Sequence, residues 1–498
     1  MWLLESKFTF RGLVYAFRYF LISFILGIGL GSSLAFKLGF LLVLFFGGLF
    51  CLSEGFKKSH YPYWLLGLCI IGIALGTILG NHAFLVLKNQ RNFLQEFQDT
   101  EIILTGKVLK TEKTQKGIYV ILKTETINNK RLPSDKANIC LYLNQNRQIE
   151  PFSLLRLKGS LLISEKLSLS CRAYLTGGKI LEEIAPLHKS IWGVLLIIRN
   201  KIHLQLARNI REPFLSLAKG YILGDDKATN VEVADLLQKN SMTHIVAVSG
   251  FNIAIIFLMA NRLFSFFHLS PHKTFYFTLI LGTFFILLAE YPSSASRAGI
   301  MLSLALGAEH LQRMGNSINI ILLAAALMLI FNPLILIYDL GFQLSFLASL
   351  GLIFGQILSP KKELINSRAQ QLKATFQDIF KDTIYVLFFV SPLLAYYQGI
   401  ISLKPLLANL PLLPLMPAVT FLIILLLFSS FWFPSVAVVL GFLVEKIIAS
   451  QISILKIVSQ LNFLNFKVGY LFFYWIILYY LLLAFVLRFK IREARVII

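Results

Sequence analysis

Runs of about 18 or more apolar residues recur along this chain, and each is long enough to cross a bilayer. A span in lipid has to satisfy its own backbone hydrogen bonds, so a chain built from such runs folds as a helical membrane protein. Of its 498 residues, 57% are hydrophobic and 14% charged; a soluble domain carries about 25% charged. The net charge of +22 comes from 47 Lys and Arg against 25 Asp and Glu. Much of that excess follows from the preference of cytoplasmic loops for Lys and Arg. Lys7, Arg11 and Arg18 precede the first apolar run as in a signal peptide. No cleavage site follows and a second run comes at once, so the sequence predicts an uncleaved first span.

Residues 1–98 are expected to form N-terminal transmembrane helices, with spans near 13–35, 38–53 and 62–86. Gly72, Gly76 and Gly80 in the third give a doubled small-xxx-small pattern, which marks close helix contact, favoured within one subunit over between two. Residues 99–186 differ: charges are dense, and ILTGKVLK, GIYVILKT, ANICLYL and LLRLKGSLL alternate with period two. Several short strands in that length predict a small β-barrel or sandwich, and an oligonucleotide-binding (OB) barrel fits the size. Residues 100–185 hold 14 Lys and Arg against 8 Asp and Glu, among them Lys107, Lys110 and Lys113, with Tyr119, Tyr142, Phe152 and Tyr174 interleaved. Such a mixture suits single-stranded nucleic acid; a solvated basic surface with core tyrosines has the same composition. The loop charges place this domain outside the cytoplasm, where a disulfide between Cys140 and Cys171 is expected.

Residues 187–240 predict an amphipathic helix and a connector. Ile191, Leu195, Ile198, Ile202 and Leu206 share one face, and Lys189, Arg199, Lys201 and Arg208 occupy much of the rest. That helix is expected on the outer membrane surface, or packed on the β-domain. Residues 241–498 hold nine further candidate spans, giving about twelve crossings in all. The count puts the loop 359–382, with Lys361, Lys362, Arg368, Lys373 and Lys381, in the cytoplasm together with both termini. The expected fold is a polytopic α-helical membrane protein with an inserted extracytoplasmic OB-like β-barrel.

Three stretches within the apolar runs carry polar groups. Thr243, His244, Ser249, Gly250 and Asn252 lie in MTHIVAVSGFNIAII, Arg297 in SSASRAGIM, and Asp339, Gln343 and Ser345 in DLGFQLSFLA. Polar groups in a span line a site or a hydrated path, or bond helix to helix. Enzyme signatures are missing: the sequence holds no phosphate loop, no HExxH and no HxH pair. His268 and His272 flank Pro271 and read as loop residues. Ser249 lacks the first glycine and the preceding strand of a nucleophile elbow. Catalytic residues, metal ligands and cofactors are therefore not expected.

GYILGDDKATNVEVADLLQKNSMTHIVAVSGFNIAII resembles the core motif of the ComEC family of competence channels, through Leu223, Gly224, Asp225, His244, Ala247, Val248, Ser249, Gly250 and Asn252. PSSASRAGIM is similar to the family's next block, through Pro292, Ser293, Arg297 and Ala298. NPLILIYDLGFQLSFLASLGL resembles a third, through Asn332, Pro333, Asp339, Gly341, Phe342, Gln343, Ser345 and Phe346. SPLLAYYQGIISLKPLLANLPLLPL, which contains Asn409, resembles the Pro-rich segment near the end of the membrane domain. Many relatives continue into a metallo-β-lactamase-like domain, but none of the eight histidines here forms its HxHxDH signature, so nuclease activity is not carried over.

The resemblance implies a channel that passes one DNA strand across the bacterial cytoplasmic membrane. It further implies partners: a periplasmic or surface DNA receptor, a cytoplasmic ATPase motor and a separate nuclease. Arg297 at mid-membrane would cost roughly 2.5–3.5 kcal/mol, which a phosphate or Asp339 could offset. Pro405, Pro411, Pro414 and Pro417 are expected to break the helix across 405–417. Two alternatives fit some of these features: a secondary transporter of a small solute, which would also use broken helices and midplane polar groups, and a membrane-embedded hydrolase using Ser249 and His244.

Overall fold

The computed structural model describes residues 10–33, 38–57, 61–114, 117–128, 130–131, 138–143, 149, 153–163, 171, 173–184, 191–224, 230–245, 250–289, 293–311, 316–358, 368–468 and 473–496. The chain divides into two compact units. One comprises Met1–Leu196 with Leu322–Gln343, the other Ile197–Ile321 with Leu344–Ile498.

The first unit opens with helices α1 (Phe10–Ser33), α2 (Leu38–Lys57) and α3 (Tyr61–Gln95). Glycine sets how close α1 and α3 come. A Cβ added at Gly72, Gly76 or Gly80 would meet the backbone carbonyl oxygen of Phe20, Phe24 or Ile28, one turn of α1 apart each time. From the other side, Gly27 and Gly31 meet the carbonyls of Ile73 and Thr77. The small-xxx-small pattern is thus used inside one chain, backbone against backbone.

From the end of α3 the chain enters a barrel. Its strands are β1 (Glu101–Thr114), β2 (Gly117–Ile127), the two-residue β3 (Lys130–Arg131), β4 (Asn138–Leu143), β5 (Leu154–Ile163) and β6 (Ala173–Ile184). The order β1-β5-β6-β4-β2 closes through β1–β2 pairing, and β3 adds only to the end of β2. Pairing is antiparallel except between β4 and β6. Closure removes the sheet edges. Alternation fills the interior with fully buried Leu104, Leu122, Leu141, Leu155, Leu157 and Leu161. The four expected strands are all present. The closing strand β6 was not legible, because Gly177 and Gly178 interrupt its alternation. No linker separates barrel from membrane helix: Leu94 of α3 lies in the barrel core, Phe93 and Phe97 pack on it, and Asp99 N–H donates to the Leu161 carbonyl.

The remaining helices are α4 (Ile191–Asn209), α5 (Phe214–Leu223), α6 (Val231–Lys239), α7 (Gly250–Phe266), α8 (Pro271–Leu288), α9 (Ser293–His310), α10 (Ser317–Phe331), the single turn α11 (Ile335–Tyr338), α12 (Leu340–Leu358), α13 (Arg368–Gln398), α14 (Lys404–Trp432), α15 (Pro434–Ser459) and α16 (Phe473–Val496). Strands β7 (Ile400–Ser402) and β8 (Asn465–Lys467) pair between α13 and α16. The boundary between the units falls within α4, α10 and α12.

Among the described residues, seven helices are long and apolar enough to cross a membrane: α1, α3, α8, α12, α13, α14 and α15. The expected count of about twelve also took in α2, α7, α9, α10 and α16; four of these have apolar stretches below 18 residues, and α9 carries Arg297 and His310. This is a membrane protein with at least those seven candidate spans.

Three expectations change. The span expected at 244–267 starts at Gly250, and Thr243–Ile245 forms a separate 3-10 turn. The 405–417 stretch is not a break: α14 runs unbroken from Lys404 to Trp432, with Pro405 in its first turn and Pro411, Pro414 and Pro417 inside. A proline at the start costs no hydrogen bond, and prolines inside an apolar helix are accommodated where neighbouring groups and local adjustments of the backbone serve the carbonyls they free. The same problem is solved visibly in α13. Pro392 cannot donate to the Phe388 carbonyl, and Tyr479 of α16 donates to it instead at 3.0 Å. Finally, α4 is amphipathic as expected, with Leu195 and Leu206 buried, but Arg199 is buried too. Its Nη1 donates at 2.9 Å to the carbonyl of Leu288, at the end of α8, where a cation meets the negative end of the helix dipole.

Candidate functional site

The second unit gathers polar groups where six helices end or begin. Helix α5 stops at Leu223 because Gly224 turns left-handed, φ 71°, and donates its N–H back to the Gly220 carbonyl. Just before that stop, the Tyr221 carbonyl accepts from Asn252 Nδ2 at 3.5 Å, and Tyr221 Oη donates to Gln451 Oε1 of α15 at 3.0 Å. Asn252 is fully buried on the first turn of α7. Beside it, Gly250 sits against α9, where an added Cβ would lie 3.2 Å from Ala298 Cβ. Arg297, next to Ala298, is only 3% exposed. The structure therefore brings Gly250, Asn252 and Arg297 of the expected set to one place, the packed start of α7 and α9.

A second part of this seam holds a residue that the sequence reading missed. Lys404, 1% exposed, begins α14 and donates from Nζ to the carbonyls of Lys239 at 3.1 Å and Ser459 at 3.0 Å. These are the last residues of α6 and α15, so one ammonium caps two helix C-termini. Asn240 beside it donates to the carbonyls of Leu236 and Leu455. The one signal for it in the sequence is that it stands alone among mostly apolar residues before Pro405.

The other expected residues are placed differently. Asp339 is the N-cap of α12: its Oδ1 accepts from Phe342 N–H at 3.0 Å. Gln343 reaches back and donates Nε2 to the carbonyls of Leu336 and Ile337, closing the end of α11. Both polar groups thus build the break between α11 and α12 inside the first unit, which accounts for their presence without a ligand. Ser345 is half-buried on α12, and its carbonyl accepts from Ser349 Oγ. Asn409 is half-buried on α14 and donates to Thr383 Oγ1 of α13 at 3.4 Å. Asp225 and Ser249 lie outside the described residues, and so does the side chain of His244. His268 is in the turn as expected, but His272 lies in the first turn of α8, because Pro271 starts that helix instead of interrupting it. Its Nδ1 is 3.0 Å from His310 Nε2. Among the described residues no cluster of three or more His, Cys, Asp or Glu could hold a metal.

On the barrel, Cys140 and Cys171 form a disulfide with a Cα–Cα distance of 5.6 Å. Tyrosines hold several of the outward register positions around it, with Ile121 opposite Cys140 on β2. Tyr119 of β2 pairs with Tyr142 of β4, ring centroids 4.8 Å apart, and Cys140 is opposite Tyr174 of β6. Tyr142 is 54% exposed, so this tyrosine is not a core residue. Lys107 is opposite Lys123 in the register. A bulge between Val108 and Lys110 shifts the phase, so Lys110 falls opposite Ile121, an outward position, and Lys113 opposite the buried Ile118. The three lysines do not share one register face.

No curated protein and no solved structure matches the chain. The family profile described as "Competence protein" matches residues 221–492, from Tyr221 beside the Gly224 turn through most of α16. That is more than half of the chain and contains every part of the seam just described: the chain belongs to the Competence protein family.

Proposed function

We infer that the chain, as a member of the family, has a role in DNA uptake during transformation. We propose that the chain is a channel that passes single-stranded DNA across the bacterial cytoplasmic membrane. The observation that carries this reading is the family match over 221–492, which includes the buried arginine of α9. A strand bears one phosphate charge per nucleotide and needs a protein-lined path. Arg297 is the charge best suited to meet a phosphate there, with Asn252 as a neutral donor nearby. The continuity of α14 removes one of the features that a small-solute transporter would share.

In this reading the barrel is an OB-like domain on the outer side, both termini are cytoplasmic, and about twelve helices cross. The tyrosines around the disulfide offer stacking faces for bases, and Lys107 and Lys110 offer charge for phosphates. Each charge entering a cytoplasm at negative potential opposes about 2.3 kcal/mol per 100 mV. The sequence has no phosphate loop, so a cytoplasmic ATPase or strand-binding protein would pull, a receptor would deliver DNA, and a separate nuclease would remove the other strand.

The test is entry of labelled DNA into cells lacking the protein, complemented with wild type, Arg297→Ala or Arg297→Lys. Arg297→Ala should abolish entry while surface-bound DNA and the amount of protease-resistant protein stay normal. Arg297→Lys should rescue partly, because an ammonium lacks the guanidinium fork. A well-folded Arg297→Ala protein that still admits DNA at the normal rate would remove Arg297 from the path. Normal entry in cells without the protein would remove the function itself.

A further inference from the structure

On α3, Phe84, Leu87, Lys88, Arg91, Asn92 and Gln95 follow one another at helical spacing and line a cavity of about 310 Å³. Their chemistry is graded along the axis: two apolar residues, then two cations, then two amides. The apolar run of α3 opens at its other end with Tyr61, Tyr63 and Trp64, residues suited to an interfacial belt, and closes at Leu87. A helix crosses the hydrocarbon in about 20 residues, so Lys88 and Arg91 fall at the depth of the headgroups. Among the described residues neither has a carboxylate partner, and the buried Nε of Arg91 makes no hydrogen bond.

We infer that this cavity is a phospholipid site. The phosphate of an anionic lipid lies between Lys88 and Arg91, its acyl chain runs along Phe84 and Leu87, and its polar headgroup faces Asn92 and Gln95. A nucleic-acid phosphate shares the cationic chemistry but has no use for the apolar end. The site has a structural consequence. Leu94, one turn beyond, is sealed in the barrel core, so a lipid held at Arg91 fixes the depth of α3 and with it the height of the barrel.

The inference is tested on the purified full chain in neutral-lipid nanodiscs, titrated with phosphatidylglycerol carrying a fluorescent acyl chain. Lys88→Gln with Arg91→Gln should weaken binding about 30-fold, since each basic residue near a charged surface contributes about 1 kcal/mol. Lys123→Gln on the barrel should leave it unchanged. Arg91→Gln alone should weaken it about 5-fold, and serves if the double variant does not fold. Equal binding by wild type and the glutamine variants overturns the site. Displacement of the lipid by oligothymidylate at matched phosphate concentration overturns it too, by assigning the cations to DNA.

Discussion

The barrel and the second helical unit use cationic side chains in opposite ways. On the barrel, Lys123 and Lys158 are exposed and Lys107 is half-buried, while the interior is mainly aliphatic. There, single charges count for little. The Lys158–Glu101 pair is exposed on both sides, and such pairs contribute about 0–1 kcal/mol. In the helical unit, Lys404, Arg199 and Arg297 are buried. Two of them are bonded to carbonyls at helix ends, where each position matters individually. Water explains the contrast. A barrel in solvent turns charge outward and lets it be screened. Helices without water at their ends must supply a donor from the chain for each freed carbonyl.

The largest effect should come from the glycine seam, where backbone meets backbone. Gly76→Val places a Cβ on the Phe24 carbonyl and should remove more than about 4 kcal/mol, read as loss of folded protein in detergent. Gly47→Val on α2, with nothing within 4 Å of its Cβ, should be nearly silent. Equal tolerance at both positions would contradict the backbone contact of α1 and α3. The barrel is expected to depend on its covalent link more than on any of its charges. Cys140→Ser with Cys171→Ser releases a closure of 31 residues and should cost about 3–4 kcal/mol of barrel stability in the chain-entropy account. Free thiols at both positions in protein from an oxidising medium would dispose of the link.

Next comes Lys404→Met, which keeps the volume and leaves the carbonyls of Lys239 and Ser459 without their donor. We expect a loss of about 2–3 kcal/mol in denaturant titrations. Lys158→Met on the barrel should stay within about 0.5 kcal/mol. Stabilisation by Lys404→Met would erase the contrast drawn above. The smallest change is Tyr479→Phe, which strips the donor from the carbonyl that Pro392 leaves open. It should cost about 1 kcal/mol. Restoring the missing N–H with Pro392→Ala should make Tyr479→Phe nearly neutral in a double-mutant cycle.

Much of the fold was legible because it is periodic. Apolar runs gave the membrane helices, alternation gave four of five barrel strands, and two isolated cysteines gave the bridge. What escaped depends on pairing between distant segments. Strand β6 exists because β4 and β5 need a common neighbour, while its own glycines blur its alternation. Arg199 sits among polar residues on a helical wheel, yet the end of α8 calls it inward. The site was legible as a list of unusual residues, but not in the division of their labour. Asp339 and Gln343 turned out to terminate and start helices, a task that a short polar side chain performs wherever α11 must stop and α12 begin. Lys404 was passed over because a lysine before a proline looks the same at a membrane surface as in a buried joint.

Helix α3 has 35 residues, about 52 Å of continuous rod, with its middle in the glycine seam and its last turn in the barrel core. Such a part is a lever. A force on the barrel loads the rod, and the load arrives at α1 as shear along a contact where backbone meets backbone. Barrel and seam are therefore coupled along one axis: a displacement of the barrel is borne by the contact that holds α3 to α1.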